Sequence, residues 1–323
     1  METPRIAIVG QGVIGMTCAI RLRDVFDRVD LYSAEAFQNT NSQSAGAYWW
    51  PHAIYPADRV REWARDTYEH YREWRDREGS GVHFENHVRL CVDPDDNAFV
   101  RELIGTWEAI NGADYGVVCH EAFRLVVPVI DVPMYLERLR GMVEERGVET
   151  RIRKLTAPED LAADYDLVVN CTGVGAREFA EDDEVTPIRG QIVRGTRPEG
   201  LRESTRIYQK EDQFTLILPR SDDVVLGGTA QEGSFDRQPD PADTAEILQR
   251  CARLVPEVAD IEVIESVVGL RPGRFEVRLD KEERSSGLPV IHNYGHGGGG
   301  FTVAWGCARE VVERARAHFG MLG

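Results

Sequence analysis

Four glycines stand in a row at positions 297–300, inside the stretch "IHNYGHGGGGFTVAWG" from Ile291 to Gly306. Glycine is costly in backbone entropy. A run of it between an apolar strand and an apolar helix therefore implies that backbone comes very close to something. A second cluster opens the chain: Gly10, Gly12 and Gly15 in "GQGVIG", followed by a helical pattern. The first glycine permits a tight turn. The second lets the backbone approach a pyrophosphate, and the third lets helix and strand pack closely. The helix start, with the N–H groups of Val13 and Ile14, would then hold phosphate oxygens. A third glycine turn, "NCTGVGA", contains Gly173. An acid is expected at the end of the second strand to hold ribose hydroxyls. Glu35 is the candidate, and Asp30, earlier in that strand, reads as a surface residue.

These motifs need elements to position them. "RIAIV" (5–9) is a short β-branched run suited to a buried parallel strand, and "RVDLYSAE" (28–35) is a second. Strand, glycine turn, helix and strand within about 30 residues form the βαβ context that the fingerprint requires. "AFQNTNSQSAGAYWWPH" reads as an ordered loop, because Tyr48, Trp49 and Trp50 call for burial. An amphipathic helix follows, with Val60, Trp63, Ala64, Tyr68, Tyr71 and Trp74 as a core stripe, ending at Gly79. Residues 81–130 alternate like strands, with a helical insert near 97–111. A helix with Asp131 at its N-cap and Pro133 in its first turn then runs to Gly147. Another buried strand leads into "NCTGVGA". Residues 188–290 are β-rich around one helix, and the chain closes on a final helix.

The expected fold is thus α/β: a Rossmann-like dinucleotide domain with an interleaved antiparallel β-sheet domain of α+β type. The segments 1–80, 131–187 and 285–323 would form the first, and 81–130 with 188–284 the second. A nicotinamide enzyme and a flavin enzyme share the fingerprint. Three glycine-rich turns far apart in sequence favour the longer flavin, and no second dinucleotide fingerprint is found.

Composition narrows the function. In a chain of 323 residues, 42% are hydrophobic, enough for a large core. No run of about 18 apolar residues could span a membrane. A net charge of −17 disfavours nucleic acid as a partner. The six cysteines show no CxxC and no metal spacing, so neither disulfides nor zinc are expected, and a reducing compartment is. There is no signal peptide, and the chain ends "GMLG" with no peroxisomal tripeptide, so a cytoplasmic location is expected.

The blocks "IVGQGVIGMTCAIRL", "DLVVNCTGVGA", "RGQIV", "VVLGGT", "VVGLRP" followed by "EVRL", and "VIHNYGHGGGGFTVAWGCA" together resemble the D-amino-acid oxidase family, in the same order from residue 5 to about 315. The resemblance implies FAD as cofactor, with Gly10, Gly12, Val13, Ile14 and Gly15 at the pyrophosphate. It brings Ser42, Ser44, Ala45 and Gly46 near phosphate and flavin, and Gly173 near the adenosine half. Gly297, Gly298, Gly299, Gly300, Phe301 and Thr302 would wrap the flavin ring. Arg271 in "GLRP" matches the arginine that clamps the substrate carboxylate, as a planar fork suits a bidentate anion. Arg274 and Arg278 rank lower. The carbonyl of Gly298 matches the acceptor for the substrate amine. The implied reaction passes the α-hydrogen as hydride to flavin N5. Dioxygen then takes the electrons as hydrogen peroxide, and the imino acid hydrolyses to a 2-oxo acid and ammonia. Partners would be an amino acid and O2, with a homodimer as the common assembly of relatives.

The sequence also departs from the family. Leu216 stands where many members carry a pocket tyrosine, Asp212 where another does, and Ala230 where some carry tyrosine or arginine. Leu216, Phe214, Ala230 and Trp49 are the expected pocket side chains, with Tyr208 a further substitute hydroxyl. The pocket should be wide and apolar, favouring neutral or hydrophobic D-amino acids. Glu211 and Asp212 read as a solvated acidic loop. The alternative is a flavin-dependent oxidase or dehydrogenase of an unusual amine or modified amino acid. Ala34 replaces a common aspartate. Gly299 replaces a bulkier residue and should open the flavin rim. His292 and His296 read as packed histidines, since the chemistry needs no base.

Overall fold

The computed structural model describes residues 3–75, 77–92, 97–201, 204–208 and 215–321, with backbone alone at 205–208. Two sheets dominate it. The first has six strands in the order Lys281–Glu283, Pro289–His292, Leu167–Asn170, Arg5–Val9, Arg28–Ser33 and Glu149–Ile152. All its neighbours are parallel except the edge pair 281–283 with 289–292. The order reverses beside Arg5–Val9, which has 28–33 on one flank and 167–170 on the other. That reversal opens a crevice at the carboxyl ends of the strands, the expected place for a dinucleotide. Ile6 and Ile8 are completely buried, as a strand covered on both faces demands.

Three helices pack together on this sheet. The first (Val13–Arg23) and the last (Gly300–His318) touch where the Thr17 hydroxyl donates to the Ala304 carbonyl. The last also lies against Ala57–Trp74, so close that a Cβ on Gly306 would overlap the Trp63 backbone. The stripe Val60, Trp63, Ala64, Tyr68, Tyr71 and Trp74 is buried throughout, which makes this a core helix. Asp131 does sit at the N-cap of Val132–Glu145, but its side chain makes no capping bond.

The second sheet runs in the order 231–232, 186–196, 223–227, 215–219, 204–208, 82–91, 121–130, 47–48. The long strand Val263–Gly273 also pairs with 186–196, and 107–109 pairs with 121–130. The sheet is not purely antiparallel as expected: 204–208 and 82–91 run parallel, Ser204 opposite His87 through Tyr208 opposite Cys91. Here two stretches of chain more than 100 residues apart in sequence meet edge to edge. Two short strands also pair across the expected partition, 47–48 within the second sheet and 281–283 within the first. Among the described residues no helix is long and apolar enough to cross a membrane.

Candidate active site

A cavity of about 1080 Å³ lies between the crevice of the parallel sheet and the inner face of the second sheet. Gly10, Gly12, Val13 and Ile14 form one wall. Gly10 has φ +118°, and a Cβ there would overlap the Cys171 carbonyl just past the end of the neighbouring strand. Gly15 does not line the cavity. It lets the helix seat on the turn, since its Cβ would overlap the Gly10 carbonyl oxygen. Ser42 crosses to the helix start, where its Oγ accepts from the Val13 N–H at 3.0 Å. Ser44, Ala45 and Gly46 continue along the cavity. Ser44 packs on Gly269, and the Asn41 side-chain oxygen accepts from the Leu270 N–H at 3.1 Å. The loop is thereby fixed to the strand that carries Arg271.

The glycine run divides its labour. Gly297, Gly298, Gly300, Phe301 and Thr302 line the cavity at the start of the final helix. Gly297 has φ +52°. Added Cβ atoms at Gly298 and Gly300 would meet protein only at ordinary contact, 3.6 Å from Arg271 and Val13. Their bareness keeps the helix start open to the cavity. Gly299 differs: it does not line the cavity, and its Cβ would overlap Ile54 Cδ1. No flavin rim is opened there, because Ile54 fills the space that a larger residue would take.

Arg271 lies on Val263–Gly273, opposite Ile188. Its guanidinium lies over Gly190, where a Cβ would overlap it, and Nη1 donates to the Thr229 carbonyl at 3.0 Å. A glycine inside a strand often marks such a close approach. Leu216, Ala230, Ile188 and Ile192 line the cavity with it. Ile192 and Leu216 share a face because both register with Gly227. Trp49 is not a pocket residue. It is completely buried, and its Nε1 donates to the Ala64 carbonyl at 2.9 Å. Side chains alternate along an extended chain, so Tyr48 and Trp50 face the cavity instead. Phe214, Glu211 and Asp212 lie outside the described residues, as does the Tyr208 side chain. Arg274 and Arg278 turn away, pairing with Asp182, Glu184 and Glu282.

Glu35 and Gly173 line the far end of the cavity. Asp30 is no free surface residue, for the Tyr165 hydroxyl donates to it at 2.6 Å. Four cations also line the cavity, Arg153, Lys154, Arg177 and Arg237, and Arg237 pairs with Glu35. Sequence reasoning missed all four, along with Trp50 and Gly190. In a chain of net charge −17, that concentration of cations suits a polyanion. A long cavity with a glycine cradle, two helix starts and a cationic end fits a dinucleotide such as FAD. Among the described residues no three His, Cys, Asp or Glu are grouped to hold a metal.

Three packed histidines, His296 at the cavity, His292 and His70, are held neutral. Burial pushes His296 down to about 3. Burial first, then nearby Arg278, pushes His292 down to about 4. His70, stacked on Trp305, is pushed to about 3 by burial, then by Arg21 and Arg77. Each folded value lies below the unfolded one, so the unfolded chain binds more protons in acid. Stability is therefore fully present above the unfolded value of 6.5 and declines as pH falls toward about 4 for His292 and about 3 for His296 and His70. The loss at pH 5 should be about 2 kcal/mol for each histidine that stays neutral. Urea unfolding at pH 7 and pH 5 measures it, and His296→Gln should flatten the dependence.

A family model described as FAD dependent oxidoreductase matches residues 5–314. The chain is 39% identical over 314 residues to a D-amino-acid oxidase of Rubrobacter xylanophilus, covering 97% of this chain and 96% of that one. It is 38% identical to a D-amino-acid oxidase of Streptomyces coelicolor, covering 96% of each. Among solved structures, glycine oxidase from Geobacillus kaustophilus superposes with a TM-score of 0.74 at 20% identity, covering 97% of this chain and 95% of that one, a likeness of fold. With a matching cavity, a seated arginine and full-length similarity, the chain belongs to the D-amino-acid oxidase family of FAD-dependent oxidoreductases.

Proposed function

We propose that the protein is an FAD-dependent oxidase that converts neutral and hydrophobic D-amino acids, with O2 and water, to 2-oxo acids, ammonia and hydrogen peroxide. The observation that carries this reading is Arg271, seated over Gly190 and facing an apolar cavity beside Gly298. When bound, FAD supplies the acceptance of a hydride from the substrate α-carbon and the passage of two electrons to dioxygen. The protein's part is binding and orientation. The Arg271 fork would hold the carboxylate through two charge-assisted hydrogen bonds. The Gly298 carbonyl would accept from the amine, and the two contacts together would fix which face of the α-carbon is presented. The start of the final helix at Gly300 carries partial positive charge, which would stabilise negative charge developing on the ring system. Gly10, Gly12, Val13 and Ile14 would hold the pyrophosphate, and Glu35 the ribose. His296, neutral across the physiological range, takes no proton in this scheme.

Leu216, Ile192 and Ala230 support the preference for apolar side chains, for none can pair with a second carboxylate. Burying an unpaired charge there is costly, so kcat/KM for D-methionine, D-leucine and D-phenylalanine should exceed that for D-aspartate by about 100-fold. A peroxide-coupled assay over this panel checks it, and equal turnover of D-aspartate removes the side-chain preference. Bound FAD with no turnover of any simple D-amino acid favours the second reading, an oxidase or dehydrogenase of a modified amine, which the missing pocket hydroxyls at 216 and 230 support. The same proposal includes cytoplasmic location and pairing as a homodimer, the latter checked by light scattering.

A further inference from the structure

The segment between the strand ending at Gly227 and the helix Pro241–Leu254 is tied down from beneath. Arg189, almost wholly buried on strand 186–196, spends most of its donors on it and on the first turn of that helix, and Nη2 also donates to Gln191 on its own strand. Nε donates to the Asp236 carbonyl at 3.1 Å and Nη2 to the Gln238 carbonyl at 2.7 Å. Nη1 donates to Gln231 at 2.8 Å and to Asp243 at 2.9 Å. The Gly233 N–H donates to the Pro187 carbonyl at 2.8 Å. A loop held this firmly nevertheless leaves Phe235 58% exposed at the rim of the cavity. Two residues on, Arg237 Nη1 reaches Glu35 Oε2 at 3.6 Å. That ion pair joins the second sheet to the end of strand Arg28–Ser33 in the first, at the cationic end of the cavity.

We infer that residues 231–238 form a clasp over the adenosine half of the cofactor, with Phe235 covering the adenine and Arg237 orienting Glu35 toward the ribose. The inference rests on the reading that this cavity holds FAD. An exposed aromatic face at a cavity mouth suits a purine, which stacks on it whatever its edge groups are. Arg237 engages one oxygen of Glu35, and the other is left to accept ribose hydroxyls. Arg189 acts through the loop and is a positioning residue.

The test titrates FAD into the apoproteins of the parent, Phe235→Ala and Arg237→Ala, following quenching of flavin fluorescence, and records the thermal midpoint of each apoprotein. The clasp predicts a Kd raised about tenfold in Phe235→Ala. It predicts about fivefold in Arg237→Ala, as an exposed ion pair allows. The apoprotein midpoints should shift by no more than about 2 °C, since Phe235 is exposed without the cofactor and an exposed ion pair such as Arg237–Glu35 contributes little to stability. Unchanged Kd values in both variants overturn the clasp. So does weaker binding matched by a larger fall in the apoprotein midpoint, which would mark a structural role. A parent that binds no FAD overturns the clasp together with the reading beneath it.

Discussion

Arg271→Leu should lower kcat/KM for every D-amino acid by about a thousandfold while the protein still binds FAD. Removing one partner of a buried charge pair leaves the other uncompensated, a loss of roughly 2–5 kcal/mol. Gly10, Gly12, Val13 and Ile14, which would hold the pyrophosphate, are unaltered in this variant, so the flavin spectrum should survive the change. Arg271→Lys keeps the charge and loses the planar fork, so an intermediate deficit is expected. Gly190→Ala gives a sharper test of geometry. Its Cβ would overlap the guanidinium, the far end of a flexible side chain, so the fold can yield where the substrate clamp cannot. KM should rise about tenfold with little change in thermal midpoint. Undiminished activity in both Arg271→Leu and Gly190→Ala would remove Arg271 from the substrate site.

Gly15→Ala should cost the protein both stability and cofactor. Here the added Cβ would overlap the Gly10 carbonyl oxygen, a backbone atom held by the strand behind it. The turn cannot give way as a side chain can, so helix and strand must separate. Overpacking at so constrained a place costs about 3 kcal/mol. It also displaces the helix start that would hold the pyrophosphate and the Val13 N–H that donates to Ser42. The variant should purify colourless and unfold at a lower temperature. Gly79→Ala is the natural comparison: φ there is +69°, unlike at Gly15, and nothing lies within 4 Å of an added Cβ. That substitution should cost about 1 kcal/mol and leave the flavin in place. Equal behaviour of the two variants would show that the Gly10–Gly15 contact does not hold the turn.

The pyrophosphate turn was readable in the sequence because its requirements are local: three glycines at fixed offsets after a β-branched strand. The core helix 57–74 was readable because its stripe repeats at helical spacing. What escaped depends on register or on distant partners. Trp49 and Trp50 are adjacent aromatics, and only the pairing of 47–48 with the strand 121–130 decides which faces the cavity. Gly299 answers to Ile54, a residue some 245 positions away, so its role could not be seen from the glycine run itself. Gly190 matters only once strand 186–196 lies beside 263–273. The parallel junction of 204–208 with 82–91 joins stretches more than 100 residues apart, and no local pattern announces it. The four cations that line the cavity come from three separate stretches of chain, and only the fold brings them to one cavity.

The central claim is a flavin oxidation of D-amino acids, and oxygen consumption measures it most directly. The purified protein, loaded with FAD, is supplied in parallel with the D and L forms of methionine, leucine and phenylalanine. The account predicts oxygen uptake matched by equal hydrogen peroxide with the D forms, and none with the L forms. Turnover of the L forms, or an FAD-loaded protein inert to all six, would contradict it.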